Sequence, residues 1–418
     1  MTTRRSTLIG AATSLAVLSP LGIPLGALAQ QQRRGPATPA RPSARAGAAR
    51  PAEPAPTGSP AQTPLGNLDT AARHALAVDF ATGATLLDKD GDVPMPPSSM
   101  TKLMTAYLVY GALKSGRLKL TDELPVSERA WRMGGSKMFV QVGTNVAVED
   151  LIRGVIVQSG NDSCIVLAEA LAGSEEGFSE LMNQKAKELG LTNSFFKNST
   201  GWPDPAQRMS ARDIAMLARR IILDFPEYYH YDSEKSFKYN NIEQENRNPL
   251  VQKGTADGLK TGHTEEGGYG VVASSLRNGR RVILVLNGMT SMRQRAEEAD
   301  RLMEWCFREF ENVPLFQAAD VIENAPVWLG TAASVPLVGG RDLIVTMPRS
   351  WRRTATISLR YAAPVKAPVA RGDRIGTLTI SGQGVPVLEV PLLAGADVPR
   401  LGLTGRTMAV ISRMLTRG

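Results

Sequence analysis

The sequence predicts an α+β protein in which a sheet lies beside a helical subregion and a small all-β domain follows. Strand-like apolar runs at residues 76–80 and 281–287 enclose a long segment with helical periodicity. After about residue 315 the pattern changes to short apolar runs separated by Gly and Pro, which is typical of a compact β domain. A chain of 418 residues is long enough for two such folded domains.

The first 29 residues have the pattern of an export signal. Arg4 and Arg5 precede an apolar run that contains two prolines and ends at an Ala-Leu-Ala site at residues 27–29. We expect cleavage after Ala29, by either the general or the twin-arginine secretion route. The alternative is an uncleaved membrane helix, which the two prolines disfavour.

Residues 30–68 are rich in Pro, Ala, Gln and Arg and have few large apolar side chains. Such a segment buries too little apolar surface to offset the entropy lost on ordering. We therefore expect a disordered linker there, and a first folded domain over residues 69–314.

The elements of this first domain can be assigned in order. Residues 76–80 and 85–87 flank a glycine turn and indicate a hairpin. Pro96 and Pro97 precede apolar residues at helical spacing from Met100 onward. Further helical patterns cover 148–171 and 176–189, and a capping box at Ser210 opens another over 214–223. Strands are predicted at 270–274 and 281–287, and an amphipathic helix at 293–310.

The rest of the chain is predicted to hold a β-rich accessory domain over 315–402 and an amphipathic helix over 403–418. In that helix the apolar residues gather on one side and arginines flank them. We expect it to lie on the surface of a membrane, because it is too short and too charged to span one. The alternative is a helix packed on the β domain.

The formal net charge of +8 suggests an anionic partner. Nucleic acid is not expected, since neither zinc-finger spacing nor a basic helix is found. A membrane surface or a cell-wall polymer fits the export signal better.

The two cysteines, Cys164 and Cys306, lie in apolar helical patterns and are expected to be buried free thiols rather than a disulfide or a zinc site.

Three short motifs hold the residues suited to catalysis: Ser-x-x-Lys at 99–102, Ser-x-Asn at 159–161 and Lys-Thr-Gly at 260–262. Each motif alone is common, and alone it indicates only a surface lysine or a turn. Together they supply a nucleophilic hydroxyl, a nearby amine, a second hydroxyl, an amide and a second amine. That set suffices for acyl transfer through a serine ester without histidine.

The spacing of these residues suggests their roles. Ser99 and Lys102 are three apart and share a face of the helix that starts near Met100. Burial and the charge of Lys260 lower the pKa of Lys102, so that it can take the hydroxyl proton. Ser159 can relay a proton to the leaving amine, and Asn161 can hold both the substrate amide and the lysine. Both residues follow the helical run 151–157, so we expect them in a loop between two helices. Gly262, at the edge of a strand, allows close approach of a substrate backbone.

Residues 96–105, 151–162 and 257–264 resemble the three motif segments of the serine D-alanyl-D-alanine carboxypeptidases, low-molecular-mass penicillin-binding proteins that trim peptidoglycan stem peptides. The resemblance covers about residues 71–316, and the β-rich stretch matches the family's accessory domain in position and size. It implies a penicillin-binding, β-lactamase-like transpeptidase domain whose serine acyl-enzyme is inhibited by β-lactams. It also implies a periplasmic enzyme attached peripherally to the cytoplasmic membrane.

The resemblance further implies the role of each residue. Ser99 is the acylated nucleophile and Lys102 its base, while Lys260 stabilises charge. Thr261 and Arg247 bind the terminal carboxylate of the substrate. The backbone N–H groups of Ser99 and His263 form the oxyanion hole. No cofactor or metal is expected.

Three other functions share parts of this pattern: a class A β-lactamase, a D,D-endopeptidase and a non-catalytic penicillin-binding sensor. The β-lactamase needs a glutamate in an E-x-x-L-N loop, and the nearest string, at residues 180–183, is one residue short and lies within a helical pattern. The intact catalytic residues argue against a sensor, and the extra β domain favours a carboxypeptidase over an endopeptidase.

Overall fold

The computed structural model describes residues 59–382 and 388–416. The predicted export signal and most of the predicted linker lie outside these residues. In the first domain the strands are β1 Ala61–Thr63, β2 Gly66–Leu68, β3 His74–Asp79, β4 Thr85–Lys89, β5 Glu123–Pro125, β6 Asn145–Ala147, β7 Ser236–Tyr239, β8 Ile242–Glu245, β9 Gly258–Thr264, β10 Gly268–Arg277 and β11 Arg280–Met289. The helices are α1 Lys102–Lys114, α2 Glu128–Arg132, α3 Val148–Ile156, α4 Asn161–Ala172, α5 Glu175–Leu189, α6 Ala211–Asp224, α7 Pro249–Lys253 and α8 Met292–Glu309.

Seven of these strands form one antiparallel sheet in the order β2-β1-β4-β3-β11-β10-β9, so that β9 is an edge strand. The sheet is buried on both faces. Along β11, Leu284 and Leu286 face α8, whereas Ile283 and Val285 face the helical subregion. Because successive side chains of a strand point to opposite faces, a strand covered on both faces is apolar throughout.

The helical subregion contains α1 to α6 and packs on the other face of the sheet from α8. The pattern over 148–171 forms two helices, α3 and α4, and Ser159, in the loop expected between them, adopts a left-handed backbone conformation (φ 59°). Ser210 caps α6 as expected: its hydroxyl accepts a 3.1 Å hydrogen bond from the backbone N–H of Asp213. The Asp213 carboxylate does not complete a capping box, because it accepts from Asn193 N–H and Ser194 Oγ instead.

The second domain is all-β, apart from a 3₁₀ turn at Arg349–Arg353 and the final helix. Its strands are β12 Phe310–Phe316, β13 Glu323–Trp328, β14 Ser334–Val338, β15 Leu343–Pro348, β16 Thr356–Tyr361, β17 Val365–Lys366, β18 Arg374–Ser381 and β19 Leu388–Ala394. β12 pairs with β15, and the other six form a sheet in the order β16-β18-β19-β14-β13-β17. The final helix is α9, Leu403–Thr416.

Two predicted boundaries need correction. The strands β1 and β2 lie within the segment expected to be a disordered linker; Ala61 is fully buried and Gln62 pairs with Asp88 of β4, so the folded part includes residues before 69. The accessory domain starts with β12 at Phe310 rather than at residue 315, since α8 ends at Glu309.

A buried carboxylate joins the two domains. Asp79, at the end of β3, accepts hydrogen bonds from Arg280 of β11 at 2.9 Å and from the Asn312 amide of β12 at 3.1 Å. Thr346 of β15 in turn donates to Asn312 at 2.8 Å. Because Asp79 is fully buried, these bonds compensate the loss of its hydration and fix the strands of the second domain against the sheet.

Both cysteines are buried free thiols, Cys164 in α4 and Cys306 in α8. Burial raises the pKa of each thiol to about 12. Within the described part of the chain, no helix is long and apolar enough to cross a bilayer.

Candidate active site

Ser99 lies in a 3₁₀ turn, Ser98–Thr101, that leads directly into α1. Pro97 precedes the turn, and Ser98 adopts a left-handed conformation (φ 50°). Lys102, the first residue of α1, donates from Nζ to Ser99 Oγ at 2.9 Å. The predicted pair of serine and lysine is therefore in hydrogen-bond contact at the start of a helix.

The amine of Lys102 is fully buried and makes two more hydrogen bonds. Nζ donates to Asn161 Oδ1 at 2.7 Å and to the Thr200 carbonyl at 2.6 Å. Burial, with help from the positive charge of Arg247, lowers the pKa of Lys102 to about 8. A useful fraction of the amine is therefore unprotonated near neutral pH, as a general base requires.

Ser159 and Asn161 occupy the junction between α3 and α4, as predicted. The junction is fixed by backbone bonds from Gly160 N–H to the Gly154 carbonyl (2.8 Å) and from Asn161 N–H to the Ser136 carbonyl (2.7 Å). The Asn161 side chain donates to the Gly134 carbonyl at 2.8 Å while its oxygen accepts from Lys102. Asn161 thus connects the Lys102 amine to the loop at residues 134–140.

Lys260, Thr261 and Gly262 lie on the edge strand β9 and are all buried. A Cβ atom on Gly262 would lie 3.1 Å from the Pro97 carbonyl oxygen and 3.2 Å from the Ser99 nitrogen, so a side chain here would crowd the nucleophile turn. Burial, together with the charges of Lys102 and Arg247, lowers the pKa of Lys260 well below its usual value. The three motifs thus meet at one place.

Arg247 precedes α7, and its guanidinium donates to Ser136 Oγ at 2.5 Å. Its position depends on the next residue, Asn248, whose amide donates to the carbonyls of Gly258 (3.1 Å) and Val272 (3.3 Å). The guanidinium is exposed at the edge of the cleft.

His263 is also exposed, and its ring lies 3.9 Å from that of Tyr269, so its side chain contacts β10 rather than Ser99.

The cleft at Ser99 has a volume of about 510 Å³. It is lined by Ser99, Gly135, Ser136, Asn161, Thr200, Gly201, Trp202, Pro203, His263, Thr264, Glu265 and Glu266. A cavity of similar volume, about 540 Å³, lies between the β3–β4 hairpin and β15 and contains none of the predicted catalytic residues. Among residues 59–382 and 388–416, no cluster of three or more His, Cys, Asp or Glu side chains is arranged to hold a metal.

The loop at residues 198–202 supplies a partner to Lys102, although none of the three motifs includes it. Asn198 Oδ1 accepts hydrogen bonds from the N–H groups of Thr200 (3.2 Å), Gly201 (2.8 Å) and Trp202 (3.0 Å). These bonds direct the Thr200 carbonyl to the amine. The short string Asn-Ser-Thr-Gly is a turn signal in the sequence, but it carries no chemical group that marks a catalytic role.

Asp162 was also given no role. Its carboxylate accepts from the backbone N–H groups of Met138 (2.9 Å), Phe139 (2.8 Å) and Val140 (3.2 Å). It therefore holds the loop that Asn161 and Arg247 contact. The sequence signal was its position directly after the second motif.

The glutamate considered for a β-lactamase, Glu180, is exposed on α5, in agreement with the sequence analysis. The buried glutamate nearby is Glu175, which accepts hydrogen bonds from Ser199 N–H (3.1 Å) and Oγ (2.8 Å) and pairs with Arg129 at 2.8 Å. Its oxygens support the loop that orders Lys102.

Comparison with known proteins identifies relatives of both domains. Residues 59–290 match the family model described as D-alanyl-D-alanine carboxypeptidase, and residues 310–400 match the model of the penicillin-binding protein 5 C-terminal domain. A D-alanyl-D-alanine carboxypeptidase of Escherichia coli, DacC, is 38% identical over 84% of this chain and 90% of its own length.

Two solved structures are also similar. Penicillin-binding protein 5 from Haemophilus influenzae aligns with a TM-score of 0.73 and 36% identity, over 79% of this chain and 98% of that one. Penicillin-binding protein D2 from Listeria monocytogenes, in its ampicillin-bound form, aligns with a TM-score of 0.53 and 27% identity over 57% of this chain and 98% of that one.

Replacing Gly201 with Ala should slow covalent labelling of Ser99 by a penicillin at least about tenfold, which corresponds to about 1.4 kcal/mol of barrier. Gly201 has φ 83°, and a Cβ atom there would overlap the Ser98 carbonyl, so either the nucleophile turn or the Thr200 loop must shift. Stopped-flow acylation measures the rate.

Gly190→Ala is the matched control, because Gly190 has φ 74° and its Cβ would meet nothing within 4 Å. It should lose about 1 kcal/mol of stability without slowing acylation. Equal acylation rates for the two variants would show that the close contact of Gly201 does not matter.

Proposed function

The chain belongs to the D-alanyl-D-alanine carboxypeptidase family, and we propose that it removes the terminal D-alanine of peptidoglycan stem peptides through an ester on Ser99. The observation that carries this proposal is the 2.9 Å hydrogen bond between Lys102 Nζ and Ser99 Oγ, with the Lys-Thr-Gly strand against the same turn. The match of residues 310–400 to a penicillin-binding protein domain favours the carboxypeptidase over an endopeptidase.

In the acylation step, unprotonated Lys102 takes the proton of Ser99 as Oγ attacks the carbonyl carbon of the penultimate D-alanine. The negative charge that develops on the carbonyl oxygen is stabilised by the backbone N–H groups of Ser99 and His263. The intermediate then collapses, the peptide C–N bond breaks, and D-alanine leaves after its amine receives a proton through Ser159.

The substrate's terminal carboxylate is bound by a cluster of positive charge and a hydroxyl. Thr261 lies on β9 beside Lys260, and the Arg247 guanidinium is held over Ser136 at the edge of the cleft. Arg247 also lowers the pKa values of Lys102 and Lys260 through its charge. A bound carboxylate offsets this repulsion, so that substrate binding and the ordering of the cations support one another.

In the deacylation step, water attacks the ester carbonyl, Lys102 takes its proton, and the Ser99 hydroxyl is regenerated with release of the shortened peptide. A β-lactam acylates the same Ser99 hydroxyl, but the C–N bond that breaks lies within its ring, so the amine stays attached to the acyl group instead of leaving the site. Because Glu180 is on the surface of α5, we expect this ester to be long-lived and β-lactams to be inhibitors.

We also place this activity outside the cell membrane. The export pattern of residues 1–29 supports secretion to the periplasm. On α9, Leu403, Met408 and Ile411 are exposed apolar side chains, at 77%, 76% and 52% of their full accessibility. Such a helix suits peripheral attachment to the outer face of the cytoplasmic membrane.

Ser99→Ala should abolish both the release of D-alanine from a D-Ala-D-Ala peptide and covalent labelling by penicillin, because one hydroxyl serves both reactions. Intact-mass analysis after mixing with penicillin measures the labelling. Ser98→Ala, which changes the adjacent hydroxyl, should still be labelled. Labelling of another serine in the Ser99→Ala protein would contradict the assignment.

Arg247→Ala should remove the preference for a peptide with a free terminal carboxylate over its C-terminal amide, mainly through a higher KM. The two substrates are compared by kcat/KM. Arg293→Ala, at an arginine exposed on α8, is the control and should retain the preference. An unchanged preference in the Arg247 variant would transfer the role to Thr261 or Lys260.

Deletion of residues 403–418 should prevent sedimentation with anionic lipid vesicles at moderate salt and leave peptidase activity intact. A second variant, with Leu403 and Ile411 changed to Ser, keeps the arginines and tests the apolar contribution. Equal pelleting of the deleted and full-length proteins would show that this helix is not the anchor.

A further inference from the structure

One buried carboxyl group in the first domain is not used by the mechanism above. Asp232 lies in the 3₁₀ turn Tyr229–Ser233 and is only 1% exposed, and neither of its side-chain oxygens has a hydrogen-bond partner among the described residues. Burying a carboxyl without partners is unfavourable by about 1–3 kcal/mol or more. A group kept at such a disadvantage calls for a functional explanation.

The register of β9 shows where this carboxyl lies relative to the catalytic residues. Lys260 and Gly262 share the face of the strand that meets the helical subregion, since Lys260 pairs with Val272 of that core. Gly258 meets the same subregion through Tyr229. At one end of that face, a Cβ on Gly258 would lie 3.3 Å from the Asp232 Cβ and 2.6 Å from Tyr229 Oη. At the other end, a Cβ on Gly262 would lie 3.2 Å from the Ser99 nitrogen. Lys260 is between them, on the same face.

Lys260 has little other support for its charge. It is 2% exposed, and within the described ranges its only hydrogen bond from Nζ is a long one, 3.4 Å, to the Thr261 carbonyl. The charges of Lys102, Arg247 and Arg295 all disfavour the ammonium form of Lys260. Of the four groups that act most strongly on this charge, Cys164 alone favours it.

The groups that face Asp232 come from three elements. Lys260 of β9 favours its ionised form, and Asp257, just before β9, disfavours it. Asp257 is itself paired with Arg281 of β11 at 2.7 Å and with Tyr229 at 2.9 Å. The Tyr110 hydroxyl of α1, which is also buried, favours the ionised form of Asp232. With burial as the largest effect, the pKa of Asp232 is raised to about 8.

We propose that Asp232 is a positioning residue for Lys260, and that from the buried side of β9 it supports the positive charge of this lysine. The inference rests on the proposed role of Lys260 in binding the substrate carboxylate. Because the interaction between two charges is mutual, ionised Asp232 favours the ammonium form of Lys260, as Lys260 favours the carboxylate form of Asp232. The lysine thus keeps its charge to higher pH than its three cationic neighbours alone would allow.

Asp232→Asn should shift the alkaline limb of the kcat/KM profile for a free-acid D-Ala-D-Ala peptide to lower pH by about half a unit or more. At a fixed pH on the alkaline side, this shift lowers kcat/KM about threefold. The sign follows from the loss of a neighbouring anion, which lowers the pKa of Lys260, so that the cation is lost earlier as pH rises. An unmoved alkaline limb would overturn the proposal.

Asp213→Asn is the matched control. Asp213 is an equally buried carboxyl, but it accepts hydrogen bonds from Asn193 N–H and Ser194 Oγ near the start of α6. This variant should lose stability and keep the alkaline limb of the wild type. The same shift in both variants would mean that the effect is general destabilisation, and would overturn the proposal.

Two more variants separate the possible failures. Tyr110→Phe removes the hydroxyl that favours ionised Asp232, so it should shift the alkaline limb of the kcat/KM profile in the same direction by a smaller amount. If circular dichroism shows that Asp232→Asn does not fold, this variant tests the proposal in its place. Lys260→Ala tests the premise: it should remove the preference for the free acid. If the preference for the free acid survives in Lys260→Ala, the proposed role of Lys260 is wrong. If that preference is lost but the alkaline limb is unmoved in the Asp232 and Tyr110 variants, only the role of Asp232 is rejected.

Discussion

The site depends on one physical requirement, namely that an amine must be buried next to a hydroxyl without being left unbonded. A buried lysine without partners is strongly unfavourable, whereas a solvated one keeps its proton and cannot act as a base. The fold meets this requirement by giving Lys102 three acceptors, on Ser99, Asn161 and Thr200. Each acceptor comes from a different segment, so the base is correctly placed only when all three segments are folded.

The contacts that support this amine join residues that are far apart in the sequence but adjacent in the fold. Glu175 holds Ser199, Asn198 closes the turn at Gly201, and Asp162 holds the loop at residues 134–140. None of these side chains touches Ser99 in the hydrogen bonds of the described residues, yet each fixes a group that contacts Lys102 or lines the cleft. Backbone N–H groups satisfied by buried oxygens give this rigidity without closing the cleft.

Strand β9 has both a free edge, to which a peptide backbone can pair, and a buried face that carries the charge of Lys260. Its free edge leaves backbone groups available to a substrate, while one of its faces runs from the buried Asp232 past Lys260 to the nucleophile turn. Its backbone pairing with β10 and the apolar packing of the sheet on both faces hold this strand in register. The charge of Lys260 is therefore carried by a strand whose position is fixed on one edge and open on the other.

The α+β architecture, the order of the domains and the three motifs follow from the sequence, because period-2 and period-3.6 patterns and local motif chemistry are short-range signals. The helix face shared by Ser99 and Lys102 and the loop at Ser159 follow from it too, since a few neighbouring residues fix each. The start of order before residue 69 and the roles of Thr200, Asp162 and Asp232 depend instead on the tertiary structure. Those roles depend on carbonyls, N–H groups and carboxyls brought together across sequence separations of 22 to 98 residues, which no local pattern records.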